Sequence, residues 1–181
     1  MAIAVFFAEG FEEIEALTVV DLTRRAGIET KMISVTGEKQ VTGSHGISVT
    51  MDQVLEEVDF NQLEMLVLPG GMPGTLNLKA CEPLMEQVKA FEREGKYLAA
   101  ICAAPTVFGG LGLLKKRKAC CYPGMEEQLE AAQVGYEPCI VSDKIITSRG
   151  MGTAMDFGLQ LVAVFQGEEA ANKLSGTIVY K

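Results

Sequence analysis

The chain has 181 residues, of which 48% are hydrophobic, so it is long enough to form one domain with a substantial core. Its formal net charge is −8, with 24 acidic residues against 16 basic ones. Nucleic acids and anionic membranes are bound through basic patches, so this balance argues against both partners. The one dense basic run, residues 115–118, is short and typical of a solvated loop or helix end.

The cysteine and histidine content bears on metals and on compartment. Five cysteines form no C-x-x-C pair and there is a single histidine, so we expect no metal site. An odd cysteine count and an N-terminus without a basic n-region favour the reducing cytosol. Residues 97–114 carry no charge and approach the length of a membrane span, but Pro105 and three glycines interrupt them. A strand followed by a buried helix explains that stretch better.

The first predicted elements are a buried strand over 2–7 and a helix over about 11–26, with Gly27 just past its end. Glu12 and Glu13 fall in the first helical turn, where acidic side chains suit the helix dipole. These acids would repel phosphate, and no G-x-G-x-x-G or Walker pattern occurs elsewhere. We therefore expect no nucleotide, flavin or other cofactor.

Glu15 differs from these acids because it shares an apolar row of the helix with Phe11, Val19 and Leu22. Burial among such neighbours raises a carboxyl pKa and is costly unless the group is protonated or paired. Two interpretations stay open: a surface glutamate whose head reaches solvent, or a functional carboxyl with a raised pKa.

The middle of the chain predicts a second strand over 28–34, a β-hairpin over 37–51, and a short helix with a loop over 52–61. His45 lies at the hairpin turn, where a single histidine is usually exposed and without a role. A buried strand over 64–68 ends in Pro69-Gly70-Gly71-Met72-Pro73-Gly74. Such a loop is either a simple turn or a set of backbone N–H groups that binds an anion.

The stretch 97–105 predicts a buried strand that ends at Cys102 and continues into a helix whose first turn holds Pro105. It follows a helix with Pro83 near its start and Gly95 after its end. Parallel α/β sheets place their chemistry at such strand–helix junctions, on the same edge as the loop after 64–68. Helix N-terminal N–H groups favour an anion, so the sequence predicts a lowered pKa for Cys102.

The last third contains three predicted strands and two helices, and no linker, repeat or low-complexity tract divides the chain into more than one domain over 1–181. Thr153 and Asp156 have capping-box spacing, and Gly167 ends the helix they begin. The three strands are predicted at 118–122, 138–142 and 144–148. The other helix, which is short, is predicted at 125–132, between the first two of these strands.

Together these motifs resemble the ThiJ/PfpI superfamily, in its branch of Parkinson disease protein 7 homologues, the protein deglycase group. The resemblance runs nearly end to end, and the set of motifs in order is far more specific than any one of them. It is carried by Glu9-Gly10-Phe11-Glu12-Glu13-Ile14-Glu15, Arg24-Arg25-Ala26-Gly27, Leu68-Pro69-Gly70-Gly71, Ala100-Ile101-Cys102-Ala103-Ala104-Pro105 and Thr147-Ser148-Arg149-Gly150-x-Gly152-Thr153.

The resemblance implies a flavodoxin-like, class I glutamine amidotransferase-like, three-layer α/β sandwich around a mostly parallel sheet, and a cytosolic homodimer. By position, Cys102 matches the family's reactive cysteine at a nucleophile elbow, and Glu15 matches the protonated glutamate beside it. Gly71 and Ala103 match the backbone N–H donors that hold an oxyanion. Arg25 matches an arginine in the dimer-interface region of the family.

This sequence departs from the family pattern near the cysteine. Members with clear glyoxalase or deglycase activity place a histidine before a proline, where this chain has Tyr122, and a phenol is a poor general base at neutral pH. Tyr122 can still donate a hydrogen bond to a substrate. Ala103 stands where the protease-like branch has histidine, which counts against a peptidase. His45 stands where relatives carry an arginine, so it is a candidate to approach a partner's site.

The sequence therefore predicts a cysteine-dependent enzyme of glyoxalase or deglycase type acting on small reactive carbonyls such as methylglyoxal or glycated adducts. Cys102 would be the nucleophile, with Glu15, Gly71 and Ala103 as catalytic partners; Gly70, Tyr122, Arg25 and His45 are candidate substrate-binding residues. The alternative is a redox-responsive stress protein or chaperone that senses oxidation through Cys102.

Overall fold

The structure, a computed structural model, describes residues 2–180, and its centre is a seven-stranded sheet in the order β10-β11-β7-β6-β1-β2-β5. All neighbouring strands are parallel except β10, which runs antiparallel to β11 at one edge. The strands of this sheet are β1 (Ala2–Phe7), β2 (Glu29–Ser34), β5 (Gln53–Val54), β6 (Leu63–Leu68), β7 (Tyr97–Ile101), β10 (Cys139–Ser142) and β11 (Ile145–Ser148).

Two small two-stranded ladders lie outside the main sheet. One is the antiparallel hairpin of β3 (Gln40–Thr42) and β4 (Ser48–Thr50), and the other joins β8 (Lys118–Ala119) to β9 (Gln133–Val134) in parallel. The predicted hairpin over 37–51 is therefore confirmed, and its turn is held next to the start of the first helix.

Helices cover both faces of the sheet, which gives the three layers predicted. One face carries α1 (Glu13–Arg25), α5 (Ala154–Gln166) and α6 (Glu168–Thr177); the other carries α2 (Gly74–Ala80), α3 (Glu82–Glu94) and α4 (Pro105–Gly110). Short 3₁₀ turns lie at 55–57, 60–62, 126–129 and 151–153. None of the helices between residues 2 and 180 is long and apolar enough to cross a membrane.

The core consists of two apolar clusters separated by the sheet. Successive side chains of a strand point to opposite faces, so Phe6 packs in the cluster under α3 while Phe7 packs in the cluster under α1. Every residue of β1 is buried, as the uninterrupted apolar run 2–7 predicted for a strand covered on both faces. The mostly parallel, helix-covered sheet confirms the predicted flavodoxin-like α/β class.

Several predicted elements differ in extent from the structure. The first helix begins at Glu13 because Glu12 is still extended, with ψ of 119°. The predicted strand 118–122 pairs only over Lys118–Ala119, since the next N–H groups bond elsewhere: that of Cys120 to Thr147 Oγ1, and that of Tyr122 to the Cys102 carbonyl. The predicted helix at 125–132 is a 3₁₀ turn over Glu126–Leu129.

Two helices were not predicted, and one capping motif was predicted wrongly. The sequence assigned nothing to α2, which follows the Gly-rich loop, or to α6. Thr153 makes no capping bond to α5; its hydroxyl instead accepts the N–H groups of Arg149 and Gly150. The carboxyl of Asp156 accepts from the Tyr180 hydroxyl, so it does not complete a capping box.

Candidate active site

Cys102 lies at a sharp strand-to-helix turn immediately after β7. Its φ of +67° places a non-glycine residue in the left-handed region, which costs roughly 1–3 kcal/mol and persists only where surrounding contacts impose it. Those contacts are visible: the Cys102 N–H donates to the Ser148 carbonyl at 3.1 Å, and its carbonyl accepts from the Tyr122 N–H at 2.7 Å. Pro105 then starts α4, as predicted. The strained turn holds the thiol at the carboxyl edge of the sheet.

The Gly70-Gly71 loop brings the Glu15 carboxyl and the Cys102 thiol together. The Gly70 N–H donates to Glu15 Oε2 at 2.9 Å. A Cβ atom at Gly70 would lie 2.7 Å from that oxygen and 3.1 Å from Cys102 Sγ, so only glycine fits between them. The Gly70 carbonyl also accepts the Glu12 N–H at 2.9 Å, which ties the loop to the start of α1.

Glu15 is a fully buried carboxyl, with 0% of the residue exposed, so the surface interpretation of this residue is wrong. Burial raises its pKa to about 7, although the Cys102 side chain and the Gly70 N–H favour the ionised form. Oε1 has no hydrogen-bond partner among residues 2–180. An unpartnered buried oxygen is less costly on a neutral carboxyl than on a carboxylate, and the site therefore favours a protonated Glu15.

The predicted lowering of the Cys102 pKa is wrong. Burial, with the negative charge of Glu15 beside the sulfur, raises the pKa of Cys102 to about 12, against the N–H groups of Ala103 and Gly71, which lower it. The helix-based argument failed because it left out the burial of the thiol, which is the largest cause, and the neighbouring carboxyl. The two groups titrate as a pair, and one negative charge can reside on either member.

The pKa of Glu15 lies below that of Cys102, but two features favour the sulfur as the place for that single charge. Cys102 is 8% exposed and Glu15 is not exposed at all. Two backbone N–H groups favour the thiolate, whereas one, that of Gly70, favours the carboxylate. A Cys102 thiolate beside a neutral Glu15 that donates to it is the nucleophilic form of the pair, and its formation stays a prediction. Burial is also the largest cause that raises the pKa of Cys121 and Cys139 to about 12.

Above Cys102 lies an open cavity of about 440 Å³. Of the residues predicted for the site, Cys102, Gly71, Ala103 and Tyr122 line it, while Glu15 and Gly70 lie beneath the thiol. Sequence reasoning missed the remaining lining residues, which come from separate loops and carry no shared motif. They are Glu12, Ser44, Met72, Pro123, Met125 and Met151.

His45 lies at the rim and is bonded to α1, so it is exposed but not idle. Its ring Nδ1 is 2.9 Å from Glu13 Oε2, and its N–H donates to Glu13 Oε1 at 2.7 Å. This bond to Glu13, together with the charge of Glu12, raises the pKa of His45. Burial raises the pKa of Glu13, but the contacts with His45 outweigh it and the net direction is downward. Glu12 and Glu13 thus hold the hairpin turn and do not merely face the helix dipole.

His45 and Arg25, two of the residues predicted to bind substrate, do not line the cavity of one chain. The ligand atoms of His45, Glu12 and Glu13 lie within 4.8 Å of one another, an arrangement able to hold a metal ion, but here they bond to each other. Arg25 lies at the end of α1, paired with Asp21 at 2.6 Å in a different groove. Arg25 could reach a substrate at Cys102 only from a second copy of the chain, and the substrate-binding roles of Arg25 and His45 stay predictions, as does the homodimer.

A buried cysteine at a strand–helix elbow, paired with a buried glutamate under a glycine loop, defines a class of flavodoxin-like α/β proteins centred on one thiol. The chain belongs to the DJ-1/PfpI family, whose model matches residues 1–164. It is 31% identical over 181 residues to the Parkinson disease protein 7 homolog of Danio rerio, covering 98% of this chain and 96% of that one.

Other relatives and solved structures agree with this assignment. Over 170 residues the chain is 31% identical to glutathione-independent glyoxalase DJR-1.2 of Caenorhabditis elegans, covering 92% of this chain and 89% of the relative. The structure of oxidized Toxoplasma gondii DJ-1 matches with a TM-score of 0.94 and 36% identity, over 99% and 98% of the two chains. Protein DJ-1 homolog B of Arabidopsis thaliana is 40% identical, but the 96% of this chain that matches spans only 40% of its length.

The raised pKa of Glu15 predicts a pH-dependent stability. A group whose pKa rises on folding stabilises the fold fully below its unfolded value of 4.5, and this contribution is lost as the pH rises through about 7. A shift of this size corresponds to about 3 kcal/mol. Urea unfolding at pH 5 and pH 8 should show wild type losing more stability than Glu15→Gln, by an amount of that order.

Glu38→Gln, at an exposed position, is the matched control and should follow wild type at both pH values. Equal stability losses for wild type and Glu15→Gln would mean that Glu15 is not held protonated by burial.

Proposed function

We propose that the protein is a cysteine-dependent enzyme of glyoxalase or deglycase type that acts on reactive 2-oxoaldehydes and related carbonyl adducts. The observation that carries the proposal is the juxtaposition at Gly70 of the Cys102 thiol and the buried Glu15 carboxyl, under an open cavity. The Caenorhabditis elegans relative named a glutathione-independent glyoxalase supports it. The proposed reaction needs no separate thiol compound, because the nucleophile is Cys102 of the protein itself.

In the proposed reaction, the Cys102 thiolate adds to the aldehyde carbon and the carbonyl electron pair moves to oxygen. The N–H groups of Gly71 and Ala103, which favour an anion at this position, support the oxyanion. Glu15 gives its proton to that oxygen, and a hemithioacetal results. Glu15 is then a carboxylate, able to accept the next proton.

The second half of the reaction moves one proton between two carbons and one between two oxygens. Glu15 accepts the proton from the former aldehyde carbon and returns it to the neighbouring ketone carbon. The hydroxyl proton of the hemithioacetal passes to the ketone oxygen, so the former aldehyde carbon becomes the thioester carbonyl. The product is a thioester of Cys102, and water hydrolyses it to a 2-hydroxy acid and the free thiol. Substrate and water together balance the product, so no external oxidant or reductant takes part.

Tyr122 limits this mechanism because it replaces a more effective base. Its ring lines the cavity and is 43% exposed, so it can donate a hydrogen bond to a substrate oxygen. A phenol does not readily accept protons at neutral pH, and both proton transfers therefore fall to Glu15. We expect slow turnover for this reason.

Substitution at Cys102 is the direct test of the proposal. Cys102→Ser should abolish conversion of methylglyoxal to lactate, because a neutral hydroxyl lacks the nucleophilicity of a thiolate. Glu15→Gln should lower kcat about 100-fold or more, since it removes the group that both donates and accepts protons. Lactate formation measured by chromatography checks both expectations.

Cys81→Ser is the matched control, because Cys81 is partly exposed between α2 and α3, outside the cavity, and should keep full activity. Unchanged turnover in purified Cys102→Ser would exclude the mechanism.

A second candidate function is a response to oxidation at the same thiol. The neutral Glu15 and the N–H groups of Gly71 and Ala103 that favour a thiolate would also favour a sulfinate. One peroxide oxidises the thiolate to sulfenate, and a second oxidises the sulfenate to sulfinate, with one water released at each step. The family's oxidized Toxoplasma gondii member is consistent with such chemistry in a relative.

Mass spectrometry after mild peroxide treatment separates this role from general damage. Cys102 should gain two oxygens before Cys120 or Cys139 is modified, because burial and the negative charges of Glu137 and Asp156 oppose a thiolate at these two positions. Oxidation of Cys120 or Cys139 to the same extent as Cys102 would exclude a dedicated redox role.

A further inference from the structure

The wall of the Cys102 cavity is rich in methionine, a feature that the proposed chemistry does not require. Met72, Met125 and Met151 come from three different loops, and all three line the cavity together with Tyr122 and Pro123. Met72 and Met151 are exposed, so neither is a core residue that happens to reach the site. Methionine side chains are flexible and polarizable, and they adapt to apolar ligands of varied shape.

The aromatic part of this wall is held firmly in place beside the thiol. The Tyr122 N–H bonds to the Cys102 carbonyl at 2.7 Å, and the Met125 N–H bonds to the Tyr122 carbonyl at 3.2 Å. The tyrosine ring packs on Gly150, where a Cβ would lie 3.3 Å from Cδ2. An aromatic ring on an anchored backbone thus lines the same cavity as three flexible thioethers, which suits a flat apolar group.

The charge of the lining excludes one class of substrate. Among the described residues that form it, Glu12 is the one with a charged side chain, and none is lysine or arginine. Ser44 and His45 contact the Glu12 carboxyl from the hairpin, but His45 does not line the cavity. An anionic substrate would meet a carboxyl and no cation, so binding of carboxylates or phosphates is unfavourable.

The size of the cavity also matters. About 440 Å³ lies within the range of roughly 300–1,000 Å³ that is typical of sites for drug-sized ligands. A two- or three-carbon aldehyde bonded to Cys102 would leave most of the methionine wall without contact. An apolar substituent of ring size would cover it.

We propose that the Cys102 site is selective for 2-oxoaldehydes that carry an uncharged apolar substituent, up to an aromatic ring, on the ketone carbon. This inference rests on the proposed function, because it assigns the substrate class of the same site. The methionine wall contacts the substituent, and the Gly71 and Ala103 side of the cavity holds the reacting oxygen. The reaction is the one given above, so phenylglyoxal and water give mandelate.

The test is a substrate series in which size and charge vary separately. Along methylglyoxal, 2-oxobutanal, 2-oxopentanal and 2-oxohexanal, kcat/KM should rise about 3- to 4-fold per methylene, as expected for full burial of each group. Phenylglyoxal should exceed methylglyoxal at least about 10-fold, and 4-carboxyphenylglyoxal should fall at least about 10-fold below phenylglyoxal. A kcat/KM that does not rise along the alkyl series, or equal kcat/KM values for the two aromatic substrates, would overturn the proposal.

Variants connect the preference to the methionine wall. In the double variant Met72→Ser and Met151→Ser, the rise of kcat/KM along the alkyl series should flatten. Each value is divided by the same variant's value for methylglyoxal, so that a general loss of activity does not count toward the result. Leu76→Ser is the matched control, an exposed apolar residue on α2 outside the cavity, and should leave the series unchanged. If kcat/KM rises by the same factor per methylene in the double variant as in wild type, the methionines do not determine the preference.

A turnover-independent measurement separates this inference from the proposed function. Alkylation of Cys102 should be faster with N-benzyl iodoacetamide than with iodoacetamide, and slowest with iodoacetate, after each rate is divided by that of glutathione. If no aldehyde is turned over but this order holds, the proposed function fails and the apolar preference stands. If aldehydes are turned over but all three normalised rates agree, the preference fails and the proposed function stands.

Discussion

The site depends on one proton shared between two buried groups. Glu15 and Cys102 meet at Gly70, and the protein interior can hold a single negative charge there far more easily than two. The thiol is therefore not activated by a basic neighbour in the usual way. In the proposed mechanism the thiol becomes a nucleophile when the carboxyl keeps the remaining proton, and the same proton is then available to a substrate oxygen. Other features of the site serve to bring these two groups into contact.

The fold brings them together from distant parts of the chain. Cys102 follows β7, Gly70 follows β6 and Glu15 lies near the start of α1 after β1, and these three parallel strands are neighbours in the sheet. The carboxyl ends of these three strands therefore lie at one edge of the sheet. After β1 the chain enters a helix on one face of the sheet, and after β6 it enters a helix on the other face. The strained φ of Cys102 and the bare Cα of Gly70 permit the final approach. Substitutions at either residue would separate the pair without altering the core.

The parts of the molecule that follow local rules could be predicted from the sequence. Uninterrupted apolar runs located the buried strands, and the carboxyl of Glu15 in an apolar row indicated a buried acid. The pKa of Cys102 could not be predicted because it depends first on the burial of the thiol and then on a side chain 87 positions away in the chain (102 − 15). The roles of Glu12 and His45 were missed for a similar reason, since the hairpin packs on α1 through tertiary contacts. The methionine wall has no periodicity, as its members come from separate loops.

The ionisation of Cys102 in Glu15 variants tests the shared proton most directly. The pH dependence of Cys102 alkylation by iodoacetamide would be measured in wild type, in Glu15→Gln, which keeps a hydrogen-bond donor, and in Glu15→Leu, which does not. If a neutral Glu15 supports the thiolate, the wild-type midpoint lies below that of Glu15→Leu, and the midpoint of Glu15→Gln falls between the two. A midpoint that falls in Glu15→Leu would show that Glu15 opposes the thiolate as a carboxylate, and would contradict the account.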